Sequence, residues 1–92
     1  MTSGPRRPPL TPHAALGWLH SLSIDIPASA VLDADGAVLA GDPTLARARD
    51  ENDGVIVARS ERHAIVARTG PRALERLVRA DLRAALEALE PR

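Results

Sequence analysis

The sequence predicts a small α+β domain: an antiparallel sheet of two hairpins covered by N- and C-terminal helices, in the order α-β-β-α-β-β-α. Three observations carry this prediction. The string Ile-Val-Ala-Arg occurs at residues 56–59 and again at 65–68, separated only by Ser60, Glu61, Arg62 and His63, which is the mark of a β-hairpin. Two shorter apolar runs flank Asp35-Gly36, a second hairpin signal. Leu and Ala recur at helical spacing near both ends of the chain.

Residues 1–9 contain Pro5, Pro8 and Pro9, Arg6 and Arg7, and only Met1 as a sizeable apolar group, too little to offset the entropy of ordering them. They are expected to form a disordered tail ahead of a single domain at 10–92. Thr11 and Pro12 supply a helix cap and first position, and Ala15, Leu16, Trp18, Leu19 and Leu22 outline a short helix ending near Ser21. Gly17 weakens that helix by about 1 kcal/mol relative to Ala. Residues 23–27 read as an extended linker because Pro27 interrupts them. Residues 28–33 and 37–40 are the first two strands, joined by a turn at 34–36 and ended by Gly41. Asp42 and Pro43 then cap a two-turn helix carrying Leu45, Ala46 and Ala48, before the polar string 49–53.

With Glu61 and Arg62 as a two-residue loop, Ile56, Ala58, Ile65 and Ala67 share one face of the second hairpin, and Val55, Val57, Val66, Arg59 and Arg68 share the other. Gly70 and Pro71 open the closing helix, whose stripe of Leu74, Leu77, Val78, Leu82, Ala85, Leu86 and Leu89 is expected to lie on the Ile56 and Ile65 face together with the first helix. The opposite face then has only residues 43–48 to cover it. Val55, Val57, Val66, Arg59 and Arg68 are therefore the expected docking or dimer surface.

Composition removes several classes of function. At 92 residues the chain is one domain of modest core, built from Leu, Val, Ile and Ala because Trp18 is the sole aromatic. Stacking on nucleic-acid bases is thereby excluded, and 12 basic against 12 acidic residues leave no electrostatic footprint for a polyanion. Every base is Arg, a usage expected of a GC-rich bacterial genome. With no Cys there is no disulfide or thiolate, and no apolar run reaches the roughly 18 residues of a membrane span. The basic N-terminus has no apolar segment behind it, so a cytoplasmic location is expected.

No constellation spells a catalytic or metal site. Asp33, Asp35 and Gly36 begin like a calcium loop, but Asp42 stands where the closing Glu belongs, and a turn is the better reading. His13, His20 and His63 lack partners at ligand spacing. Ser60 near His63 in a tight loop is turn chemistry rather than a nucleophile and base, and no glycine motif cradles a phosphate. No enzyme activity, cofactor or metal is expected. The Arg stripe of the closing helix is partly neutralised by the pairs Glu75–Arg79 and Arg83–Glu87.

The string AVLDADGAVLAGD at 30–42, followed by GVIVARSERHAIVARTGPRALERLVRADLRAAL at 54–86, resembles the roadblock/dynein light chain family in its order of elements, with a profilin- or longin-like layout. Only residues 43–53 separate the hairpins, so the chain looks like a shortened version. The resemblance implies a non-enzymatic regulatory module, homodimeric, that docks a partner such as a small Ras-like GTPase. The second hairpin also resembles the opening of PAS and GAF sensor domains, which implies a small ligand held between sheet and closing helix and anchored by Arg59 or Arg68. Ninety-two residues with one aromatic can hardly enclose such a pocket.

Overall fold

The computed structural model describes residues 10–22, 26–47, 54–71 and 74–90. The expected tail at 1–9, most of the linker and the polar string 49–53 lie outside them. The fold is α+β: α1 (Pro12–Leu22), β1 (Ala28–Asp33), β2 (Val38–Gly41), a 3-10 turn (Pro43–Arg47), β3 (Val55–Arg59), β4 (His63–Arg68) and α2 (Glu75–Leu89). The strands form one antiparallel sheet in the order β2-β1-β4-β3.

The β3–β4 hairpin follows the expected register. Val57 pairs with Val66 and Ala58 with Ile65, and the Ser60 amide donates to the His63 carbonyl at 2.8 Å, which closes a loop of Glu61 and Arg62. Because side chains alternate, that register decides the two faces. Ile56, Ala58, Ile65 and Ala67 join Val31 beneath both helices, packed against Ala15, Leu19, Val78, Leu82, Ala85 and Leu86. Val55, Val57 and Val66 join Ala30, Leu32 and Leu45 in a second buried cluster on the other side.

Four details depart from the pattern read in the sequence. The second strand starts at Val38, and a bulge at Val31/Leu32 leaves Leu39 unpaired across the ladder and exposed, which blunts the edge strand. The middle helix is a single 3-10 turn, because one turn suffices to swing its one fully buried side chain, Leu45, over the second face. The first helix runs one residue further, to Leu22. Most important, Leu74 and Leu77 do not belong to the buried stripe of α2 and are 64% and 59% exposed. Leu77 lies about 100° round the helix from buried Val78, and Leu74 precedes the first helical turn.

The helices are antiparallel. The Leu10 amide donates to the Ala88 carbonyl at 3.0 Å, so the start of α1 meets the end of α2. His20, near the end of α1, is hydrogen bonded to Ser29 at the start of β1. The end of α2 reaches the β3–β4 loop, at the opposite end of the sheet, through Glu90.

Candidate functional site

The two hairpin turns lie at the same end of the sheet, and each is shaped by polar side chains. In the first turn, Asp33 Oδ1 accepts from the amides of Asp35 and Ala37, each at 2.9 Å, and Gly36 takes a positive φ of 90°. That carboxylate is used in shaping a turn. In the second, Ser60 Oγ accepts from the amides of Arg62 and His63 at 3.2 and 3.1 Å and donates to Glu90 Oε2 at 2.6 Å. His63 Nδ1 also bonds Glu90 Oε2, and since an ionised carboxylate only accepts, the ring donates.

Ser60, His63 and a carboxylate thus lie together, but in the wrong order for nucleophilic catalysis. A base must accept the proton of the nucleophile, whereas here hydroxyl and imidazole both point at the same carboxylate oxygen. The arrangement is a clasp that pins the end of α2 to the loop. It also offsets a local cost, since a carboxylate at a helix C-terminus faces the negative end of the dipole.

Burial pushes the Glu90 carboxyl up, but the bonds from Ser60 and His63 and the positive charge of His63 and Arg62 outweigh it and hold the group below the ordinary glutamate range. A group depressed in the folded state contributes stability above its unfolded pKa and loses it as the pH falls through the folded value. We expect the clasp to stabilise fully at neutral pH and to fade below about pH 4. Urea midpoints measured between pH 7 and pH 3 should show Glu90→Gln flattening part of that acid limb, by about 1 kcal/mol or less because the pair is partly exposed.

Asp42 is held low chiefly by the Thr44 hydroxyl, at 2.8 Å, and then by the Thr44 amide, which caps the 3-10 turn. The His20–Ser29 pair, 2.7 Å apart, satisfies the one buried polar side chain among the described residues. Among those residues no group of three or more His, Cys, Asp or Glu could hold a metal ion, and no helix is long and apolar enough to cross a membrane.

Surface hollows among the described residues include the following two. One of about 280 Å³ lies on the second sheet face between the hairpin turns, lined by Asp33, Asp35, Arg59, Glu61, His63 and Val66. Another, of about 730 Å³, opens beside α1 at His13, Gly17, His20, Ser29 and Asp42. Neither lies between the sheet and α2, where a ligand was expected under the sensor resemblance and where Ile56, Ile65, Val78 and Leu82 are buried against one another.

The five residues expected to form a docking surface do share one face, but only two are exposed on it. Val55, Val57 and Val66 are 5%, 8% and 1% exposed, while Arg59 and Arg68 are exposed. Leu45 and the partly buried Val38, Ala46 and Ala64 help cover the valines. The expectation that this face lacks cover is corrected accordingly. Among the described residues, the exposed large apolar side chains are instead Trp18, Leu22, Leu39, Leu74 and Leu77. Comparison with protein-family models, curated proteins and solved structures returns no match.

Proposed function

We propose that this chain is a non-enzymatic interaction module that regulates a partner and works as a homodimer. The observation that carries this reading is a contrast. The polar groups that could do chemistry are tied into turns, a cap and a clasp, whereas four large apolar side chains stand exposed on and beside the helices. By the resemblance in element order, the partner is a small Ras-like GTPase, with Arg59 and Arg68 placed to meet acidic groups on it.

The test is a binding titration of the full chain against Ras-like GTPases from its own cell, each loaded with GDP or a non-hydrolysable GTP analogue. Saturable binding to one nucleotide state, lost in the double variant Arg59→Glu/Arg68→Glu, is the expected result. Failure to bind any of them in either state removes the GTPase, and turnover of an ester or peptide substrate that depends on Ser60 removes the interaction module altogether.

A further inference from the structure

We infer that a second copy of this chain docks on an apolar patch at the seam between the end of α1 and the start of α2, made of Trp18, Leu22, Leu74 and Leu77. The antiparallel helices bring these four to the same end of the helical layer. Their rotational positions bring them to the same seam. On α1, Leu16 is turned towards β2, since a Cβ on Gly41 would stand 2.8 Å from its Cδ1. Fully buried Ala15 lies on the other side, towards α2, and Trp18 and Leu22 follow it at i+3 and i+7. The Leu10 amide reaches the Ala88 carbonyl, so α1 begins beside the last turn of α2, and Leu77 lies three turns back from Ala88 along one side of that helix, with Leu74 just before its first turn.

The exposures of the four are 38%, 46%, 64% and 59%, together roughly 400 Å², the size of the largest apolar patch of a small monomer, which is often a functional one. The start of α2 reinforces this. Leu74 occupies the cap position and makes no side-chain cap bond, where Ser, Thr, Asp or Asn would stabilise the helix. A leucine there serves a contact rather than the monomer.

Area and charge point to a second copy as the occupant. Two such patches meeting across a two-fold axis, with their rims, remove roughly 1,000 Å² from solvent, the low end of specific interfaces and enough for a weak dimer. The chain carries no net charge to oppose this, with 12 residues of each sign.

The inference rests on the homodimer reading and gives it a surface. The test is sedimentation velocity of the full chain from about 1 to 300 μM, alongside the emission of Trp18, the only aromatic and therefore a reporter of the patch alone. Wild type should pass from monomer to dimer at tens of micromolar, with a blue shift of Trp18 in step. Leu77→Glu, at an exposed site, should weaken dimerisation at least about tenfold with an unchanged circular dichroism spectrum, and Leu39→Glu, outside the patch, should leave it intact. Leu74→Gln provides a second, gentler lesion if Leu77→Glu disturbs the helix. A wild type that stays monomeric throughout overturns the inference and the homodimer, while GTPase binding still tests the docking reading. A dimer that both helix variants leave intact overturns the patch alone.

Discussion

Val66→Glu should unfold the protein rather than merely dissociate it. Val66 is 1% exposed and central on the second sheet face, with Val57 opposite on β3 and Ala30 opposite on β1. Its packed neighbours Ala30, Leu32, Leu45, Val55 and Val57 are apolar, and Arg59 and His63 stand only at the rim of the adjoining hollow. An unpaired buried charge costs more than about 4 kcal/mol, comparable with the whole stability of so small a domain. Circular dichroism and urea titration should show the loss, while Arg68→Glu, exposed on the same face, should change stability by less than about 1 kcal/mol. A folded Val66→Glu monomer that had lost only its self-association would make this face a docking surface after all.

Gly41→Ala should be nearly as damaging, for a reason confined to backbone. Gly41 has φ of 93°, and a Cβ on it would stand 2.2 Å from the Ser29 carbonyl oxygen and 2.7 Å from the Ala30 Cα. Both atoms belong to β1, which is central in the sheet and cannot move aside without dragging its ladder with β4. A loss of about 3 kcal/mol or more is expected. Gly17→Ala has the opposite sign, because a Cβ there meets nothing within 4 Å and the position is helical. It should stabilise by up to about 1 kcal/mol. The pair, compared by thermal melting, separates a glycine required by its backbone from one that is not.

What could be read in the sequence follows the range of the interactions involved. The β3–β4 register was legible because it is local: the repeated Ile-Val-Ala-Arg string and a four-residue spacer leave one natural loop, and period two then assigns every side chain to a face. The α2 stripe was legible from Val78 onward for the same kind of reason. Leu74 and Leu77 fit the period but not the fold, since where the helix begins, and how far its packing extends, depends on the path from β4. The cover on Val55, Val57 and Val66 was missed because a 3-10 turn with one leucine looks slight in sequence, yet Leu45 is fully buried. The Glu90 clasp joins residues 27 and 30 positions apart, and no spacing announces it. Of the candidate site, the exposed arginines were legible, and the apolar patch was not.

The second sheet face is core, and the proposed association uses the helix ends instead. Hydrogen–deuterium exchange of the full chain, below and above its association midpoint, tests this most directly. Protection gained on association in segments 18–22 and 74–78, with none gained in Val55–Arg59, is the predicted result. Protection gained in Val55–Arg59 and absent from both helix ends would contradict it.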